Sequence, residues 1–104
     1  MIFTTSEVVP GREIKEILGI VTGNVVQSKH IGRDIMASIK SILGGELKGY
    51  TELLSQARDT AIKRIVAEAA NLNADAIINI RFTTSAVMDG ASEIMVYGTA
   101  VKLS

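Results

Sequence analysis

The chain changes its hydrophobic period as it runs, and each change marks an element. The opening IFTT reads as a small strand, closed by Pro10 and Gly11. Residues 13–28, EIKEILGIVTGNVVQS, are rich in Ile and Val, with Gly19 and Gly23 inside them. Glycine within a strand pattern marks a bulge or bend, so this stretch predicts one long, irregular strand. HIGRDIMASIKSIL, residues 30–43, follows a helical period instead: Ile31, Ile35, Ile39 and Ile42 fall at i, i+4, i+8 and i+11. Met36 and Leu43 lie about 100° round from that stripe. A second helix is predicted from about residue 50 to 71. Its apolar face carries Tyr50, Leu53, Leu54, Ala57, Ala61, Ile65 and Leu72, widened by Ile62 and Val66. Asn73 can end it in the left-handed conformation, which Asn tolerates better than most residues.

Two strands finish the chain. AIINIRFTTSAV puts Ala76, Ile78, Ile80 and Phe82 on one side and Ile77, Asn79, Arg81 and Thr83 on the other. Asp89-Gly90 is a turn signal, with Ala91 and Ser92 lengthening the loop. EIMVYGTAVKL then alternates Ile94, Val96, Gly98 and Ala100 with Met95, Tyr97, Thr99, Val101 and Leu103. A strand with one face in water alternates apolar and polar residues more cleanly than this. The expected fold is therefore α+β in the order β-α-α-β-β, a small antiparallel sheet with two helices on one face. A single domain of residues 1–104 is expected to have no second layer for the sheet's other face. A symmetric oligomer would bury that face between subunits.

ILGGELKGY, residues 42–50, raises the question of a phosphate loop. Such a loop needs a strand before it, a helix after it and a Lys-Ser/Thr pair after its last glycine. Here a helix is expected before it, and Lys48 is followed by Gly49 and Tyr50. The reading is a turn: Gly44 or Gly45 stops the first helix, and Gly49 frees the entry to the second.

Composition narrows the chemistry. With 104 residues, 47% of them hydrophobic and only two Tyr and two Phe, the core must be built from Ile, Val, Leu, Ala and Met. Eleven acidic and eleven basic residues balance without forming runs, which argues against nucleic acid or an anionic membrane as partner. The absence of cysteine excludes disulfides, thiolate metal sites and Cys nucleophiles. MIFTTSEVVPG lacks the basic and apolar regions of a signal peptide, and no run approaches the roughly 18 apolar residues of a membrane span. A cytoplasmic protein is expected.

Few residues invite a catalytic reading. His30 is the one histidine, with Asp34 one helical turn away. No nucleophile or oxyanion device accompanies them, so the pair reads as a helix brace and no enzyme is expected. One His is too few for a metal in a monomer, but in a ring each subunit supplies a copy. Met36, Met88 and Met95 offer thioethers suited to Cu(I), yet no M-x-x-M or M-x-M run gathers them, and packing is the expected role. Arg33-Asp34 and Arg58-Asp59 read as charge pairs on helix surfaces or at subunit contacts. Asn79 and Arg81 are candidates for an interface hydrogen-bond network.

GRDIMASIKSILGGELKGYTELLSQARDTAIKRIVAEAANLNADAIINI, followed by MVYGTAVKL, resembles the YbjQ-like family of small prokaryotic proteins over nearly the whole chain. Arg33-Asp34, Gly44-Gly45, Tyr50, Ala57-Arg58, ADAIINI and GTAVKL carry the match together. The resemblance implies a dodecin-like subunit in a homopentameric ring, and heavy-metal binding as a suggested property. Relatives tend to carry an acid-rich D-x-D-Y strand where this chain has NIRFTT. Asn79, Arg81 and Thr83 stand in place of those carboxylates, and Arg81 would repel a cation. The expected function is a ring-forming oligomer that binds a metal ion or small ligand. The alternative is a structural or interaction scaffold with no ligand site of its own. The protein is expected to have no tight intrinsic transition-metal site of its own, and only weak binding of added metal.

Overall fold

The structure is a computed structural model that describes residues 1–28, 42–43, 46–88 and 91–104, with side chains from residues 1–27, 51–88 and 91–104. Its elements are β1 (Ile2–Phe3), β2 (Ile14–Ser28), β3 (Ile42–Leu43), β4 (Glu46–Leu47), α1 (Lys48–Asn71), β5 (Ala76–Met88) and β6 (Ala91–Leu103). The fold is α+β. Four strands form an open sheet in the order β1-β5-β6-β2, and one helix is present among the described residues. The sheet is mixed rather than antiparallel, because β1 runs parallel to β5 through Ile2–Ala76 and Phe3–Ile77.

Most of the helix expected at residues 30–43 lies outside the described residues. Its last two residues differ from expectation: Ile42 and Leu43 pair antiparallel with Leu47 and Glu46. The physical reason is local: β-branched Ile42 suits a strand once Leu47 is there to pair with it. The proposed helix stop at Gly44 or Gly45 lies outside the described residues, as does the Asp89-Gly90 turn. Ala91 and Ser92 do not lengthen that turn; they already pair with Ser28 and Gln27 as the first residues of β6.

The helix α1 packs on one face of the sheet and supplies Ala61, Ile65 and Ala69 to a core with Val21, Ile77, Ile80, Val96 and Ala100. Small residues on the helix bring it close. A Cβ on Gly23 would stand 2.1 Å from the Ala61 carbonyl oxygen and 2.6 Å from the Ile65 nitrogen. Gly23 therefore marks a helix contact rather than a bend. The bend is at Gly19, which has φ +135° beside a register shift against β6. Leu54 and Leu72, expected on the buried face, are exposed, and Ala69 takes the inner position instead. The C-terminus of α1 is a Schellman motif: the N–H of Ala74 reaches the Ala69 carbonyl and that of Asn73 the Ala70 carbonyl, with Asn73 at φ 59°.

In β5 the expected alternation holds only as far as Ile78. A register shift follows, so that Asn79 and Ile80 together oppose Gly98 between the pairs Ile78–Thr99 and Arg81–Tyr97. Asn79 takes φ 53° to make this bulge. Ile77, Ile80 and Phe82 consequently share the helix side, while Ala76, Ile78, Arg81 and Thr83 share the other.

Candidate functional site

The second face of the sheet is where the sequence placed an oligomer contact, and the N-terminal segment covers part of it. Val9 packs there with Ala76, Ile78, Val101 and Leu103. It is carried by a turn in which Arg12 N–H reaches the Val9 carbonyl at 3.1 Å, with Pro10 and a positive-φ Gly11 between. This sequence suits a type II turn. The expectation that nothing could cover this face is thus corrected at one end. Away from that end, in-register pairing puts Ile17, Ile20 and Val26 of β2 on the same side as Met95, Tyr97 and Thr99 of β6. Ile17 and Ile20 are 70% and 77% exposed.

Asn79 and Arg81 serve the N-terminal segment. The Asn79 N–H donates to the Ser6 carbonyl and the Ile80 N–H to the Thr4 carbonyl, both at 3.0 Å, while Thr4 N–H returns to Ile77. The Arg81 guanidinium donates to the carbonyls of Thr5 and Ile80 at 3.1 and 2.9 Å. Their hydrogen bonds are therefore within the chain, and Arg81 fixes a positive charge beside Tyr97 on the second face.

The carboxylates near the sheet are similarly engaged. On the outer edge of β2, Glu68 accepts the Thr22 N–H at 3.2 Å, and Arg64 donates to the Asn24 carbonyl. Glu93 accepts from the Asn24 amide at 3.1 Å. Asp75 accepts the Leu103 N–H at 2.8 Å and faces Lys102 at 3.7 Å. That backbone N–H, with the charges of Lys102 and Arg12, holds the Asp75 carboxyl below the usual aspartate range. Lys102 also donates to the Asn73 carbonyl, so Asp75 and Lys102 fasten the end of α1 to β6.

A heavy-metal site needs several convergent donors, and among the described residues no three His, Cys, Asp or Glu side chains gather. Met88 is 71% exposed at the end of β5, and Met95 is half-buried on the second face. The described residues of one protomer do not fit such a metal. His30, Arg33, Asp34 and Met36 lie outside the described residues. Arg58 and Asp59 are both exposed and do not form the expected pair. Adjacent helical residues point about 100° apart, and Arg58 donates instead to Ser55 at 3.3 Å. No helix among the described residues is long and apolar enough to cross a membrane.

A family model described as "Putative heavy-metal-binding", YbjQ, matches residues 1–104. The chain belongs to this family. It is 73% identical to a UPF0145 protein of Shewanella frigidimarina over 103 residues, covering 99% of this chain and 96% of that one. A UPF0145 protein of Thermotoga maritima is 59% identical over 103 residues, with 99% and 97% covered. Among solved structures, a protein of unknown function of the DUF74 family from Pediococcus pentosaceus superposes with a TM-score of 0.67. That likeness spans 100% of this chain and 98% of the other at 20% identity, and it shows the fold.

The sequence reading missed Asp75 and the Arg64–Glu68 pair. Asp75 stood inside the ADAIINI motif, two residues after the helix stop, where a carboxylate can collect a returning strand's N–H. Arg64 and Glu68 are an i, i+4 pair of opposite charge, a spacing that usually signals a bond within the helix.

Proposed function

We propose that this chain is the subunit of a homo-oligomeric, dodecin-like ring of five copies that binds a metal ion or small ligand between subunits. The carrying observation is the uncovered second face, where Ile17, Ile20 and Val26 are 70%, 77% and 55% exposed, a grouping of apolar side chains that marks a contact surface. A site between subunits also suits the donor inventory, since equivalent copies around an axis can assemble a ligand set that one chain lacks. Light scattering on the native protein is expected to give a mass near five subunits. A monomer at micromolar concentration contradicts the proposal.

The scaffold reading draws on Arg81, whose fixed positive charge disfavours a cation near Tyr97. Elemental analysis separates the two. Metal retained at a fixed number per assembly supports binding, and a metal-free assembly that also takes up no added metal favours the scaffold.

A further inference from the structure

We infer that residues 82–88, the outer half of β5, pair with the same residues of a second copy about a twofold axis. The contact uses a different surface from the proposed ring and does not depend on it.

The sheet has two long edges, one along β2 and one along β5 beyond the short β1. The edge at β2 is occupied where it matters, because Glu68 and Arg64 take up the N–H of Thr22 and the carbonyl of Asn24. An incoming strand there would have to displace both. Among the described residues the edge at β5 is occupied along its first half, by β1 and then by Thr4 and Ser6, ending at Ile80. Beyond that, residues 81–88 are all exposed. A free strand edge carries a row of unpaired N–H and C=O groups, and natural edges are blunted by charge, proline or bulges. Residues 82–88, FTTSAVM, contain no charge, no proline and no glycine. The one irregularity is a register shift between Ala86 and Met88.

One open edge and one occupied edge decide the symmetry. Head-to-tail strand pairing consumes two different edges, whereas a twofold pair uses the same edge twice and closes on itself. A twofold perpendicular to the sheet makes the pairing antiparallel and continues the sheet across both copies. Centred on Ser85, it sets Thr84 against Ala86, Thr83 against Val87 and Phe82 against Met88. No like charges meet. Phe82, Val87 and Met88, now 46%, 48% and 71% exposed, gain neighbours.

Charge reversal at the centre tests this. Ser85→Lys alone and Ser85→Glu alone each place a charge against its own copy, and each is expected to halve the native mass measured by light scattering. An equimolar mixture is expected to restore it. Unchanged mass in either variant, or no recovery on mixing, overturns the pairing. Because the chain lacks cysteine, Thr84→Cys, Ser85→Cys and Ala86→Cys provide an independent reading under mild oxidation. At least one should form a disulfide dimer in high yield while Glu52→Cys on the exposed side of α1 does not; yields no higher than that control overturn the pairing. The unmodified mass separates this inference from the ring: two chains support the twofold alone, and ten support both. Five chains overturn the twofold alone, and one chain overturns both.

Discussion

Asn73 and Asn79 hold left-handed backbone at φ 59° and 53°, and each does so at a point where the chain must change course. Asn73 closes α1; Asn79 makes the bulge that turns β5's N–H groups toward Ser6 and Thr4. A β-branched residue in this conformation costs about 1–2 kcal/mol through the clash of Cβ with the following carbonyl. Asn73→Val and Asn79→Val are each expected to lower stability by that amount in urea unfolding, whereas the glycine variants keep it within about 0.5 kcal/mol. The first was legible in the sequence because a helix pattern stopped there. The second was not, because Asn79 sits in an unbroken β-branched run where period two is the natural reading. Asp75 carries the pH dependence at this scale. Its carboxyl is held below the ordinary aspartate value by the Leu103 N–H, Lys102 and Arg12. Its stabilising contribution is therefore full above about pH 4 and is lost as pH falls through the lowered value. The Tm of Asp75→Asn should lie below that of the wild type at pH 7, and the gap should close as pH falls from 5 toward 2. A gap that stays constant would show that the carboxylate charge is not involved.

Between elements, the packing of α1 on the sheet rests on missing side chains. Gly23 lies under the helix backbone, while Gly98 serves the β5–β6 contact instead: a Cβ there would come within 2.8 Å of Ile77 Cγ2 and 2.9 Å of the Ile78 carbonyl oxygen. Gly23→Ala forces the helix away from β2 along its closest line of approach, since the contact is with backbone that cannot rotate aside. The expected loss is about 3 kcal/mol, at the upper end for overpacking; Gly98→Ala should cost about 2 kcal/mol, because two of its three close neighbours are side chains. Equal and negligible losses in denaturant unfolding would show that the helix is not seated so closely. The periodicity of Ala57, Ala61 and Ile65 revealed which face of the helix is inward. It could not reveal how near the helix comes, because Ala is compatible with both a close and an ordinary approach. The same ambiguity misplaced Leu54 and Leu72: a leucine on the edge of an apolar stripe is buried only if the sheet extends beneath it.

The whole molecule is long and thin, 52 × 28 × 17 Å, with a radius of gyration of 16.8 Å against about 13 Å for a compact chain of this length. The sequence foreshadowed this in the two-sided apolarity of β6. It did not foreshadow the Val9 turn, because a single valine between polar residues gives no periodic signal. Nor did it show that β2's edge is occupied, which depends on two side chains reaching across from another element. At this scale metal binding becomes a statement about assembly. Among the described residues no donor cluster comes together, so under the proposed function metal affinity is expected to fall when the assembly is broken. Replacing Ile17 and Ile20 together with Glu puts two charges on the apolar second face while leaving the core around Val21 and Val96 untouched. These variants are expected to yield a smaller assembly with near-native circular dichroism. Titration of Zn(II), Cu(II) and Ni(II) into chelator-treated protein should then give weaker binding to the variant than to the wild type. A site at each interface of the proposed ring would hold one metal per chain, and a site on its axis one per five chains. If the dissociated variant instead binds one metal per chain with undiminished affinity, the ligands belong to a single protomer. The reading of a site between subunits would then fail.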